Sequence, residues 1–237
     1  MSTFAHPASS WQVSERLRLR EFLPADVDDL VRMHQDAKVC AQLIDDYPLH
    51  EPDVAALFVD RIRLLYKECP GAGIWCAERR LPPDTETLLQ ARTAVACGEL
   101  PEASLAFLEQ PAWKFCGWFN LMRVPHAPQD VEIGARLTSD AWGSALVLDG
   151  GEWLLRHAFD HLGHERVFGY CDPANRSAIH TLRALGFASQ RCISYDGEPA
   201  VEFTIDCTHW KRWQLLPRRQ RQRHVLSDSK CAPDCAN

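Results

Sequence analysis

The chain has 237 residues, 46% hydrophobic and 24% charged, with a formal net charge of −6. These values describe a globular protein with one core of ordinary size and room for an insertion. They exclude a fibrous or low-complexity chain, and no apolar run reaches the length of a membrane span.

The first predicted strand is Glu15 to Phe22 (ERLRLREF), with Leu17, Leu19 and Phe22 on one side. Pro24-Ala25-Asp26 opens a helix that carries Val27, Leu30, Val31 and His34 on one face. Asp53 to Lys67 is a second amphipathic helix, preceded by Pro52 as a first-turn residue. Ile74 to Ala77 is the second strand. Leu81 to Pro111 reads as an insertion. It begins at the breaker Pro82-Pro83-Asp84, and helices are predicted over 85–97 and 102–109. Lys114 to Arg123 is the third strand, with a bulge at Gly117, and Val131 to Leu137 (VEIGARL) is the fourth.

Trp142 to His161 is predicted as one helix. The Gly150-Gly151 pair inside it costs about 1 kcal/mol per glycine relative to Ala; one reading is a frayed or remodelled N-terminal turn, the other a turn that tolerates its sequence. Arg166 to Cys171 is the fifth strand. A turn at Asp172-Pro173-Ala174-Asn175 leads into a helix with Ala178, Ile179, Leu182 and Leu185 on one face, stopped by Gly186. Phe187 to Tyr195 and Val201 to Cys207 are the last strands, joined at Asp196-Gly197. Residues 209–237 read as a basic, flexible tail. There, Lys211, Arg212, Arg218, Arg219, Arg221 and Arg223 with Trp210 and Trp213 offer charge and stacking groups to RNA or a ribosome.

The chain contains ten cysteines. They are scattered, and the N-terminal residues lack the basic start and apolar core of an export signal. The expectation is therefore reduced thiols in a cytoplasmic protein. Only Cys231 and Cys235 lie close together, and with His224 they fall short of the four ligands of a structural zinc site. His157 and His161 have helical spacing without the adjacent Glu of a catalytic zinc motif. No metal is expected.

The element order β-α-α-β-β-β-α-β-α-β-β describes an α/β fold, a mixed and mostly antiparallel central sheet flanked by helices. The stretch DPANRSAIHTLRALGF, Asp172 to Phe187, resembles the second half of the cofactor site of GNAT-superfamily N-acetyltransferases, with Asn175, Ser177, Leu185, Gly186 and Phe187 at the matching places. The runs ERLRLREF, VEIGARL…WG and YDGEPAVEF are similar to the RimJ/RimL type. The resemblance covers about residues 13–208, with the insertion at about 81–111 unmatched. It implies the GNAT fold and transfer of an acetyl group from acetyl-CoA to a primary amine. The acceptor would be a protein N-terminus or a small-molecule amine. The expected state is a monomer or homodimer, without membrane contact. An acidic body suits such a cationic acceptor.

The resemblance also assigns roles. Trp142-Gly143-Ser144-Ala145-Leu146-Val147 stands where the family carries its glycine-rich pyrophosphate turn. Gly143 is kept, Ala145 replaces the central Gly, and Val147 replaces a small residue. The methyl of Ala145 opposes positive φ. Main-chain amides and the helix dipole bind the anion, so the turn is expected to tolerate both changes. The alternative is a GNAT-like binding module that has lost CoA. A backbone N–H of the fourth strand, at a bulge near Arg136–Leu137, would polarise the thioester carbonyl. Glu132 is the candidate general base, or else a salt-bridged strand carboxylate. Ser177 and Tyr170 are candidate acids for the departing thiolate. The other readings are a helix-capping hydroxyl for Ser177 and core packing for Tyr170. Asn175 would order its turn and touch the cofactor arm.

Overall fold

The computed structural model describes residues 10–45, 47–82, 84–108, 112–124, 127–195 and 197–228. One eight-stranded sheet runs through them. Its strands are β1 (Ser10–Ser14), β2 (Leu17–Arg20), β3 (Gly73–Leu81), β4 (Ala112–Val124), β5 (Ala127–Leu137), β6 (Arg166–Cys171), β7 (Ala188–Tyr195) and β8 (Glu198–Asp206). The spatial order is β1-β2-β3-β4-β5-β6-β8-β7. All neighbours are antiparallel except β5 and β6.

Two cores lie against the sheet. One gathers Leu17, Leu19, Trp75, Phe119 and Ile133 with Leu146, Leu154 and Leu155 of α6 (Leu146–Arg156) and Leu182 of α7 (Arg176–Ala184). The other gathers Cys76, Phe115 and Trp118 with α1 (Val27–His34), α2 (Ala37–Cys40) and α3 (Pro52–Glu68). Neighbouring strand residues such as Cys76 and Ala77 fall into different cores, as period-two alternation requires. No helix among the described residues is long and apolar enough to cross a membrane.

The structure departs from the predicted elements at several places. The predicted first strand is β2, and a strand that was not predicted, β1, precedes it and pairs with it as a hairpin. Trp11 of β1 packs edge-on against Trp75, with ring centroids 6.2 Å apart. The bulge at Gly117 is present. The β3–β4 register shifts between Ala77 and Glu78, and Gly117 has φ 127°. A Cβ there would lie 2.0 Å from the Arg136 carbonyl oxygen, so only glycine fits.

Helix α6 begins at Leu146, not Trp142, and ends in a π-helical turn, His157–His161. The Gly150-Gly151 pair does not fray it. A Cβ on Gly150 would meet the Phe119 ring at 2.2 Å, and one on Gly151 would meet Leu185 at 2.5 Å. The glycines let α6 approach both the sheet and the segment after α7. Within the insertion, α4 (Thr85–Ala96) and α5 (Ala103–Leu108) form where helices were predicted.

The basic segment after His209 is not a solvated tail over its described part. It forms α8 (Cys207–Trp213) and α9 (Arg218–Asp228), which fold back onto the domain. Trp210 is 1% exposed and Trp213 is partly buried against the main core, so neither offers the free stacking face expected for RNA. Seven described cysteines are free, whereas Cys192 is disulfide-bonded, contrary to the all-reduced expectation. The predicted turn residue Asp196 and the Cys231/Cys235 pair lie outside the described residues. His224 packs against Trp213 at 5.9 Å between ring centroids.

Candidate active site

The parallel pair β5–β6 holds together over Val131↔Val167 and Glu132↔Phe168 only. Beyond Glu132 the two strands splay apart, and a cleft of about 270 Å³ opens between them. Its floor is Ile133 to Leu137 of β5. Its walls are the loop before α6 and the N-terminal half of α7. The β4–β5 register is continuous from Val131 to Leu137, so the bulge expected at Arg136–Leu137 is absent from β5. The distortion lies on the neighbouring strand, at Gly117 opposite Leu137. Splaying, not a bulge, frees this edge of β5.

Trp142, Gly143, Ala145, Leu146 and Val147 all line the cleft. The Trp142 indole donates to the Leu137 carbonyl at 3.0 Å and pins the loop to the end of β5. Gly143 has φ 73°, and Ala145 has φ 59° and ψ 13°. Ala145 is the one non-glycine at positive φ among the described residues. Holding an L-residue there costs roughly 1–2 kcal/mol, so the surrounding packing enforces the shape. Ala145 is the N-cap of α6, and its carbonyl accepts from Leu148 and Asp149.

The amides from Gly143 to Val147 donate to no protein acceptor among the described residues. Consecutive free N–H groups at the positive end of a helix can hold an anion. Ser144 does not line the cleft; its hydroxyl turns back to the Ala141 carbonyl. Any part it takes is through its amide.

On the opposite wall, the Asn175 side chain accepts from the Ala178 amide at 3.0 Å and caps α7. Its amide nitrogen reaches the Gln42 carbonyl at 3.4 Å and ties α7 to the loop after α2. The capping role considered for Ser177 therefore belongs to Asn175. The Ser177 hydroxyl is exposed at the cleft. The Tyr170 hydroxyl is buried at the cleft with no hydrogen-bond partner among the described residues. Burial, with the nearby Glu202 and Glu132 carboxylates, pushes its pKa above the ordinary tyrosine value. It is held as a neutral O–H donor.

Glu132 does not line the cleft. It lies on the other face of β5, where it accepts from the Tyr195 hydroxyl at 3.0 Å. The Tyr195 ring packs 4.9 Å from that of Tyr170, so the two tyrosines and Glu132 form one group beside the splay.

Arg136 shares that face of β5. Its guanidinium sits 4.6 Å above the Trp118 ring, contacts His34 Nε2 at 2.8 Å and pairs with Asp45. His34 Nδ1 lies 2.8 Å from the Leu30 carbonyl. A neutral imidazole that donates from Nδ1 and accepts at Nε2 satisfies both contacts. Burial pushes the His34 pKa down to about 4, with the Leu30 carbonyl opposing and the Arg136 charge reinforcing the shift.

Sequence reasoning missed Tyr195, His34 and Asp45 as site residues. Their partners lie on distant segments, and nothing in local spacing marks them. A second, open pocket of about 690 Å³ adjoins this region, lined by Leu43, Asp45, Tyr47, Asp172 and Glu198 among others.

The family model for an acetyltransferase (GNAT) domain matches residues 16–188. The chain belongs to the GNAT acetyltransferase family. Its fold is that of the RimJ/RimL type. RimL, a ribosomal L7/L12 α-N-protein acetyltransferase solved with coenzyme A, superposes with a TM-score of 0.59 and 15% identity, over 84% of this chain and 98% of that one. The microcin C7 self-immunity acetyltransferase MccE, solved with acetyl-CoA and AMP, gives 0.60 and 12%, over 84% and 96%. The ribosomal-protein-S5-alanine acetyltransferase from Vibrio fischeri gives 0.58 and 14%, over 85% and 98%. At these identities the likeness is one of fold. No curated protein matches the chain in sequence at a significant level.

Proposed function

We propose that this GNAT domain transfers an acetyl group from acetyl-CoA to a primary amine by direct attack. The observation that carries the reading is the run of free amides from Gly143 to Val147 at the mouth of the splayed cleft. A pyrophosphate is the anion such a cradle fits. The apolar cleft running inward between β5 and α7 suits the pantetheine arm, and solved relatives carry coenzyme A or acetyl-CoA.

In this mechanism the acceptor nitrogen attacks the thioester carbonyl carbon. The C–N bond forms, the C–S bond breaks, and the sulfur leaves as a thiolate. Backbone N–H groups of the freed β5 edge near Arg136–Leu137 stabilise the carbonyl oxygen as it gains charge. Glu132 receives the ammonium proton through water, and Tyr195 orients the carboxylate. The Tyr170 hydroxyl protonates the thiolate, with Ser177 the other hydroxyl in reach of the cleft. The acceptor enters by the pocket carrying Asp45, Asp172 and Glu198, whose charge favours an amine, whether a protein N-terminus or a small molecule.

The alternative of an inactive module rested on loss of the central glycine, and Ala145 adopts the glycine-like conformation without it. The test is an acetyl-transfer assay that reads free thiol release with peptide N-termini and small amines as acceptors. Amine-dependent release supports the reading. Tight acetyl-CoA binding with no release for any amine would favour the module instead.

A further inference from the structure

The chain after residue 206, beyond the span matched by the family model, runs behind both walls of the donor cleft. Trp213 of α8 donates its indole N–H to the Ala184 carbonyl at the end of α7, at 3.1 Å. Its ring closes over Gly186, where a Cβ would lie 2.7 Å from it. Helix α9 then braces α6. Arg218 donates from Nε and Nη2 to the two carboxylate oxygens of Glu152, at 2.9 Å each, and from Nη1 to Asp149 at 2.7 Å. Arg221 adds a 2.9 Å bond to Glu152. From the β1–β2 side, Arg16 donates to Asp149 at 3.0 Å and Ser14 at 2.8 Å.

Asp149 stands in the first turn of α6 and is 5% exposed. A carboxylate at a helix start is attracted by the positive end of the dipole and offsets its potential. It therefore subtracts from the positive potential that the free amides of Gly143–Val147 present to an anion. Burial lengthens the reach of that charge, because little water lies between to screen it. Arg16, Arg156, Arg218 and Arg221 set four guanidinium groups against the two carboxylates of Asp149 and Glu152, which reverses the local sign. Arg218 is the one that bonds both acids.

We infer that Arg218 is a positioning residue of the donor-anion site. It cancels the charge of Asp149 at the start of α6, so that the amide cradle keeps its affinity for a pyrophosphate. The basic segment then serves the protein's own donor helix, not a nucleic acid. The inference rests on the donor-site reading above.

The test uses the full chain, with acetyl-CoA and inorganic pyrophosphate as separate calorimetric probes. Arg218→Met should weaken both by about tenfold. Adding Asp149→Asn to that variant should bring both back to within about threefold of the parent, because the uncancelled charge is gone. A purely mechanical brace would leave the double variant as weak as the single one, and that result overturns the inference, as does unchanged binding in Arg218→Met. If Arg218→Met fails to fold, Asp149→Asn alone decides: tighter pyrophosphate binding supports the inference, and equal or weaker binding overturns it. A parent that binds pyrophosphate but not acetyl-CoA would sink the donor reading while leaving the Arg218 effect measurable on pyrophosphate. A parent that binds neither sinks both.

Discussion

The two faces of the splayed strand β5 are built from different materials. On the donor side, the loop Trp142–Val147 presents main-chain amides, and its side chains mostly line or pin the cleft. On the other face, Glu132, Tyr195, Arg136, His34 and Asp45 meet through side-chain contacts between segments far apart in sequence. A main-chain site survives side-chain drift as long as the backbone path survives. Ala145, at the place where the resemblance implies a glycine in the proposed donor turn, holds φ at 59°. A side-chain site has no such tolerance, because each group is a single point of failure. The donor half should therefore respond weakly to most substitutions and the acceptor half strongly.

The largest effect expected from that contrast is at Glu132. Glu132→Gln keeps an acceptor for the Tyr195 hydroxyl but removes the proposed base. Turnover should fall by about a hundredfold or more, with acetyl-CoA affinity unchanged. Steady-state kinetics alongside calorimetry checks it. A loss of affinity with turnover intact would place Glu132 in the wrong half.

His34 sharpens the same contrast through pH. Its folded-state pKa is pushed down to about 4 by burial, against an ordinary value of 6.5. As pH falls below 6.5, the unfolded chain takes up the proton first. Stability present above pH 6.5 is then lost between about 6.5 and 4, by about 3 kcal/mol in all. Urea unfolding across that range should show a shallower pH slope for His34→Gln than for the parent. Equal slopes would remove His34 from the account.

Gly150 tests the donor helix, with a somewhat smaller effect. The Gly150→Ala methyl would press on the Phe119 ring, where contact falls at 2.2 Å. A destabilisation of about 2 kcal/mol is expected from such overpacking. A thermal midpoint equal to or above the parent's would mean that α6 does not depend on that close approach. The smallest effect belongs to Ala145→Gly. Relief of positive φ should stabilise the fold by up to about 1 kcal/mol, with donor affinity changed less than threefold. A large gain in acetyl-CoA affinity would show that the alanine had impaired the cradle.

Local features of the fold were legible in the sequence because each rests on neighbouring residues. The bulge at Gly117, the Asn175 turn with its Gly186 stop, and the helices of the insertion are of this kind. The start of α6 was misread because one of the two positive-φ residues before it is an alanine, Ala145, which carries no sequence signal for a left-handed conformation. The Gly150-Gly151 pair looked like a weak helix because the rings and side chains it accommodates, Phe119 and Leu185, lie elsewhere in the chain. The segment after His209 looked solvated because its arginines find Asp149 and Glu152 more than sixty residues away. The same distance hid Tyr195 from Glu132.

The most direct test of the central claim is an amide correlation spectrum of the full chain, titrated with coenzyme A. The Gly143–Val147 amide protons should move downfield together and saturate at micromolar ligand, while resonances of α4 and α5 stay in place. Unmoved Gly143–Val147 amides at millimolar coenzyme A would contradict that claim.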